Sequence, residues 1–331
     1  MHALSRDDRF SKPIGIGLVG VGRHGSRYVQ HLLHDVPGAA LTAMCRKSGA
    51  GTYPGTDIPV YDDYRAMIAD PRVEAVAVVT PPSLCHPICL TAIERGKAVL
   101  IEKPLALNGR EARAMVAAAE QRHVLLMTAQ TMRFDPTILL LREQLATIKP
   151  LRFASLISHI ETRANPVPVK NGPVVGALLE LGVHLFDLIR FLTEEEILEV
   201  QCRTSPAIGP ETQVHAQIRT SGGIRCALEI DRVQGPRQGT AEWSGTGGTI
   251  KADWVARTVT RTEPDGRSET SAVEPNPTVL TTLQAFVQAI RTGAAPPISG
   301  LDGCLAVEAA DACYRSAARD GAVMKCASAG D

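Results

Sequence analysis

The sequence predicts an α/β protein, with a doubly wound parallel sheet at the N-terminus and a second, mainly antiparallel domain after it. Three observations predict this. Short apolar runs alternate with amphipathic stretches over the first 130 residues, as strands and helices do in a parallel sheet. A glycine-rich turn, Gly20-Val21-Gly22-Arg23-His24-Gly25, joins the first apolar run to the first amphipathic stretch. After about Leu151 the rhythm becomes a series of β-like stretches separated by hairpin signals.

Taken in order, Ile14 to Val19 reads as a buried strand, and Val29, Leu32, Leu33 and Val36 follow the glycines at helical spacing. Ala40 to Cys45 completes a β-α-β unit, which implies a parallel pair. Val73 to Thr80 is a buried strand, His86 to Arg95 a helix closed by Gly96, and Ala98 to Ile101 another strand. Asn108 with Glu111 resembles a capping box that opens a helix to about Arg122, and Val124 to Thr128 returns as a strand. Asp135-Pro136 opens a further helix, with Leu139, Leu140 and Leu145 as its apolar side.

The β-like stretches are Leu151 to Ile160, Ile197 to Thr204, Thr212 to Thr220 and Gly223 to Asp231, with turn signals at Ser221-Gly222 and Pro264-Asp265-Gly266. Among them runs one long helix, Gly176 to Leu192. Two closing helices, about Thr278 to Arg291 and Leu301 to Arg319, are free to pack on either domain. The expected division is residues 1–130 for the first domain and 131–331 for the second, in keeping with about 150 residues per domain.

Composition narrows the function. Hydrophobic residues are 44% and charged residues 21% of 331, a globular balance. Lys plus Arg and Asp plus Glu are 35 each, without the basic excess that nucleic acid binding needs. Apolar stretches such as Ala75 to Val79 fall far short of the roughly 20 residues that span a bilayer. Met1 to Pro13 carries Asp7 and Asp8 and lacks the apolar core of a secretory signal, so a cytoplasmic protein is expected. The eight cysteines are scattered without a Cys-x-x-Cys pair and read as reduced, buried thiols. Pro87 interrupts Cys85-His86-Cys89, and no second ligand pair stands at a zinc-like spacing, so no metal site is expected.

The glycine pattern points to dinucleotide binding, because Gly20, Gly22 and Gly25 permit a tight turn, close approach to a pyrophosphate and close helix packing. Arg23 and His24 lie in the same loop. About 20 residues on, where an NAD site places an acid on the ribose, stand Arg46-Lys47-Ser48. Two cations there suit a ribose 2′-phosphate, so NADP(H) is the preferred cofactor and NAD(H) the alternative. Thr80-Pro81-Pro82, with His86 close behind, and Glu102-Lys103-Pro104 end successive parallel strands, where such sheets bind ligands. On the long helix, Glu180, His184 and Asp187 share one polar face, and a histidine one turn from a carboxylate is a competent acid/base.

These motifs, with the Glu180-Leu181-Gly182-Val183-His184-Leu185-Phe186-Asp187 segment, Gly245-Thr246-Gly247-Gly248-Thr249 and Ile298-Ser299-Gly300-Leu301-Asp302-Gly303, resemble the family of glucose-fructose oxidoreductase, inositol dehydrogenase and MocA. The resemblance covers nearly the whole chain. It implies an N-terminal Rossmann domain, a C-terminal α/β domain with an open antiparallel sheet, and a homodimer or homotetramer built through those sheets. The family's catalytic lysine, aspartate and histidine fall on Lys103, Glu180 and His184, with glutamate here in place of the usual aspartate. Gln130, Arg133, Phe134 and Pro136 match the landmark after the last Rossmann strand, with Gln130 and Arg133 expected at the cofactor and Met132 where an aromatic is frequent.

The implied reaction is hydride transfer between nicotinamide and a carbinol or carbonyl carbon of a sugar, keto-sugar or cyclitol. His184 would exchange the hydroxyl proton and Lys103 polarise the oxygen, while Glu180 orients His184 or binds a substrate hydroxyl and Asp187 supports the stripe. The alternatives are a dinucleotide sensor without turnover, a redox-neutral glycoside hydrolase that uses the cofactor transiently, and a reductase of non-sugar carbonyls or imines. His159 and Arg163 are candidates for substrate recognition.

Overall fold

The computed structural model describes residues 12–47, 49–161, 175–206, 210–233 and 236–326. Ser48, Arg163 and nearly all of the N-terminal segment discussed above lie outside the described residues. The chain divides into two compact units, one running to Gln130 and including Pro277–Cys304, the other comprising Thr131–Asn276 and the chain from Leu305 onward. No helix among the described residues is long and apolar enough to cross a membrane.

The first unit opens with β1 (Ile14–Val19), α1 (Gly25–His34) and β2 (Ala39–Cys45), followed by the short β3 (Gly51–Thr52) and β4 (Pro59–Tyr61). It continues through α2 (Tyr64–Ala69), β5 (Ala75–Val78), α3 (Pro82–Glu94), β6 (Ala98–Glu102), α4 (Gly109–Gln121) and β7 (Leu126–Ala129). The strands form one sheet in the order β3-β4-β2-β1-β5-β6-β7, parallel throughout except for β3. Order reverses at β1, so β2 and β5 flank it, and the crevice at this switch point is where doubly wound sheets hold ligands. Every residue of β5 is buried, as expected for a strand with helices on both faces.

Local chemistry accounts for the boundaries. The Asn108 side chain accepts from the Glu111 backbone N–H at 3.0 Å and starts α4. The third helix begins at Pro82 rather than near His86, because a proline in the first turn gives up an N–H that has no helical partner there.

The second unit contains α5 (Pro136–Leu145), β8 (Leu151–Glu161), and a π-helical turn, Leu178–Gly182, that runs into α6 (Val183–Thr193). Then come β9 (Ile197–Ser205), β10 (Gln213–Thr220), β11 (Arg225–Val233), β12 (Gln238–Gly245), β13 (Gly248–Asp253), β14 (Thr258–Thr262) and β15 (Ser268–Ala272). The last elements of the chain are α7 (Thr278–Thr292), α8 (Gly300–Ala317) and β16 (Met324–Lys325). The nine-stranded sheet has the order β15-β14-β13-β12-β8-β11-β10-β9-β16, and its β8–β11 pair is parallel within an otherwise antiparallel ladder. Strict alternation on β10 buries Val214, Ala216 and Ile218 and exposes Gln213, His215, Gln217 and Arg219. One face of the sheet is therefore packed and the other is polar.

Two expectations change here. Helix α5 buries Leu145 as expected, but its packed side is completed by Ile138 and Leu141, while Leu140 is half-buried and Leu139 stands 44% exposed. The helix expected over Gly176 to Leu192 is not uniformly α-helical, since the Val183 N–H reaches the carbonyl of Leu178 through the π turn.

Candidate functional site

The dinucleotide loop is shaped by what its glycines lack. Gly20 has φ +97°, and a Cβ there would overlap the carbonyl oxygen of Val79. Gly22 is exposed, and a Cβ on it would meet nothing within 4 Å, which leaves open space on the outer side of the loop. Gly25 begins α1, whose first turn carries no acid and whose last turn carries His31 and His34, the arrangement that leaves the helix N-terminus attractive to an anion. A pyrophosphate fits this loop.

Beneath the loop lies a buried carboxylate. Glu102, 7% exposed at the end of β6, accepts from the Tyr28 hydroxyl at 2.5 Å and lies 2.6 Å from His24 Nε2, both on Oε1. Its other oxygen accepts from the Lys103 backbone N–H at 3.1 Å. Burial alone would push the Glu102 carboxyl up, but His24, the Tyr28 hydroxyl and the charge of Lys103 more than offset it and hold it below the ordinary range. The Tyr28 hydroxyl is pushed well up, first by burial and then by Glu102. Glu102 and Gln130, both expected at the cofactor, are buried, Gln130 to 1% exposed.

Around this core, Arg23 and His24 are exposed and Lys103 is half-buried, with a cis peptide to Pro104. Thr80 is half-buried with its hydroxyl 3.7 Å from Cys85 Sγ; Pro81 is exposed, and Pro82 and His86 are half-buried on or beside α3. Arg46 and Lys47 are exposed beyond β2. The charge there is not theirs alone. The Cys45 thiol is raised to about 11 by burial and then by Asp63 and Asp62, which follow β4 beside the end of β2. Asp63 is already engaged as the cap of α2, where it accepts from the Arg65 N–H at 2.9 Å. Sequence spacing from the glycines did not reveal these two acids, because β4 inserts outside β2.

In the second unit, the π turn and α6 carry the other candidates. Glu180 and His184 are half-buried, whereas Asp187 is 1% exposed. The polar stripe therefore divides. Asp187 receives a bidentate pair from Arg133, Nε to Oδ2 at 2.9 Å and Nη2 to Oδ1 at 2.6 Å, and the guanidinium also lies 5.2 Å from the Phe191 ring centroid. Arg133, expected at the cofactor, is joined to α6 by this pair.

Glu180 pairs with Arg232 of β11, whose Nη2 also donates to the Val175 carbonyl at 2.9 Å. The start of the turn is held by Glu211, which accepts from the Leu178 N–H at 2.7 Å and from the Tyr314 hydroxyl at 3.0 Å. Gly176 lacks the Cβ that would overlap the Glu211 carboxylate. Burial, followed by Glu211, pushes the Tyr314 hydroxyl up. Arg232, Glu211, Tyr314 and Tyr28 all escaped the sequence reading, since each stands outside a motif. Tyr28 alone had a signal, on the buried side of α1.

His159 pairs with Glu229 at 2.9 Å. In the β8–β11 register His159 lies opposite Asp231 and Ile160 opposite Arg232, so His159 is on the other sheet face from Arg232. A cavity of about 420 Å³ on that polar face is lined by Arg203, His215 and Glu229 among others and includes none of the predicted site residues. Among the described residues no group of three His, Cys, Asp or Glu side chains is placed to hold a metal.

Comparison with known proteins accounts for this combination. Residues 14–130 match the family model described as "Oxidoreductase family, NAD-binding Rossmann fold", and residues 163–251 match the GFO/IDH/MocA C-terminal domain. The chain belongs to the GFO/IDH/MocA family. It is an oxidoreductase with an NAD-binding Rossmann domain. Among relatives, the inositol 2-dehydrogenase of Rubrobacter xylanophilus is 29% identical over 95% of this chain and 94% of that protein. The D-apiose dehydrogenase of Paraburkholderia graminis is 24% identical over 93% of this chain and 88% of its own length. The fold is shared with scyllo-inositol dehydrogenase from Lactobacillus casei, solved with NAD(H) and scyllo-inositol, at TM-score 0.75 and 20% identity, covering 95% of this chain and 99% of that one.

Proposed function

We propose that this GFO/IDH/MocA protein is an NADP(H)-preferring dehydrogenase that moves hydride to or from a carbinol or carbonyl carbon of a sugar, keto-sugar or cyclitol. The observation that carries the reading is buried Glu102. One of its oxygens meets His24 of the glycine loop and the other holds the backbone of Lys103, so the lysine is tied to the loop that fits the pyrophosphate. The names of the relatives, inositol and D-apiose dehydrogenases, support a polyhydroxylated substrate.

Gly20, Gly22 and Gly25 with the start of α1 would hold the pyrophosphate, and Arg46 and Lys47 the 2′-phosphate. The bound cofactor supplies the hydride acceptor or donor. His184 takes the hydroxyl proton during oxidation and returns it during reduction. Lys103 donates to the reacting oxygen and stabilises the charge that develops there. Glu180 accepts a hydrogen bond from a neighbouring substrate hydroxyl. Asp62 and Asp63 favour a second reading, NAD(H) preference, because a carboxylate beside β2 suits free ribose hydroxyls and repels a phosphate.

Titration with NADPH and NADH, followed by nicotinamide absorbance on a panel of sugars, keto-sugars and cyclitols, tests this. NADPH should bind more tightly, and neutralising Arg46 and Lys47 together should weaken it about tenfold or more with little change for NADH. Equal losses for the two cofactors would remove the NADP assignment. Lys103→Ala should bind cofactor and lose turnover; retained turnover excludes Lys103 from the chemistry. Cofactor binding by the wild type without turnover on any polyhydroxylated compound would favour a sensor.

A further inference from the structure

Arg232 ends the packed-face series of β11, after Cys226, Leu228 and Ile230, all buried. That face meets the π turn, where the Ile230 side chain lies beside Gly182. The Arg232 backbone is fixed by its own N–H to the Thr212 carbonyl at 2.9 Å. Its side chain is 17% exposed, and the guanidinium joins two points of the site segment, the Val175 carbonyl and the Glu180 carboxylate. Glu180 and Arg232 are 52 residues apart in sequence.

Stability gives a weak reason for this pair. With the Glu180 side chain 39% exposed, an ion pair of this kind contributes little to folding. What a strand-borne arginine does well is orientation. A planar guanidinium bonded at a second point restricts the torsions of a glutamate that would otherwise sample many rotamers. The resemblance to the family puts an aspartate at this position, and an aspartate is one methylene shorter.

We propose that Arg232 is a positioning residue of the dehydrogenase site, fixing the Glu180 carboxylate as the acceptor for a substrate hydroxyl. The inference rests on the dehydrogenase reading above. In this role Arg232 touches neither substrate nor cofactor and acts through Glu180, with the Val175 carbonyl as the second anchor of its guanidinium. Its removal therefore affects the capture of the polyol more than the chemical step, and it has no effect where the carboxylate is already gone.

The experiment compares kcat and KM for the best polyhydroxylated substrate in wild type, Arg232→Gln, Arg232→Lys, Glu180→Gln and the Arg232→Gln/Glu180→Gln double variant, with NADPH and NADH Kd and thermal midpoints measured throughout. Arg232→Gln should raise KM about tenfold or more with a smaller change in kcat. Arg232→Lys should recover part of the loss, because it keeps the charge without the fork. In the Glu180→Gln background, Arg232→Gln should change KM less than about twofold. Cofactor Kd should stay within about twofold in every variant.

A wild-type KM in Arg232→Gln overturns the inference, as do equal losses in both backgrounds. Cofactor affinity or thermal midpoint falling in step with KM overturns it too, since that marks a general structural role. Turnover in the wild type with any of these results removes Arg232 alone. Absence of wild-type turnover on every polyhydroxylated substrate overturns the dehydrogenase reading and this inference with it.

Discussion

The glycine loop and the site helix are two ways of building a functional region. In the first, function rests on backbone shape set by neighbouring residues: Gly20 takes a left-handed φ, Gly22 leaves open space, and α1 starts at once. In the second, the backbone is an interrupted helix whose polar groups are placed by partners far along the chain. Arg133 reaches Asp187 across 54 residues and Glu211 reaches Leu178 across 33. A local pattern specifies most of the first kind of region, and only the fold specifies the second.

This difference sets what was legible in the sequence. Strand alternation, the Asn108 and Asp135 caps and the glycine turn follow from residues within a few positions of each other, and the structure has all of them. The polar residues of the site helix were also legible, as an apolar helix broken by Glu180, His184 and Asp187. Their division was not, because nothing near Asp187 announces Arg133 and nothing near Glu180 announces Arg232. The pairing of Arg133 was hidden for the same reason: its motif gives its place in the chain and not its partner.

Asp187→Ala should break this comparison most severely. It leaves Arg133, whose side chain is 9% exposed, without its bidentate partner, and stranding one member of a buried pair costs about 3–5 kcal/mol. Urea unfolding should show that loss, and replacing Arg133 and Asp187 together by Met and Leu should recover much of it. A loss under about 1 kcal/mol for the single variant would mean that the site helix is held by its apolar face and not by distant polar partners.

Gly20→Ala makes the complementary test on the local side. The new Cβ meets the Val79 carbonyl oxygen at a φ of +97°, and strain of this kind costs about 1–3 kcal/mol. Cofactor affinity should fall along with the thermal midpoint, because the same turn shapes the phosphate loop. An alanine variant with wild-type midpoint and wild-type NADPH affinity would show that the loop does not depend on the glycine's backbone freedom.

The smallest effect concerns a long-range contact of the glycine loop. Glu102 is far from His24 and Tyr28 in sequence, yet it is the buried floor on which the loop rests. Its carboxyl is held below the unfolded value of about 4.3 by His24, the Tyr28 hydroxyl and Lys103, against the upward push of burial. Above that pH the carboxylate is ionised in both folded and unfolded chains, and its full stabilisation is present. As pH falls through about 4.3 the unfolded chain takes up a proton before the folded one does, so stability drops with a slope of at most about 1.4 kcal/mol per pH unit from this group. Urea midpoints of wild type and Glu102→Gln between about pH 6 and pH 3.5 should therefore converge on the acid side, since glutamine has no proton to take up. Midpoints that fall in parallel would mean that Glu102 titrates alike in both states. The loop would then rest on its local geometry alone, as the glycine pattern by itself implies.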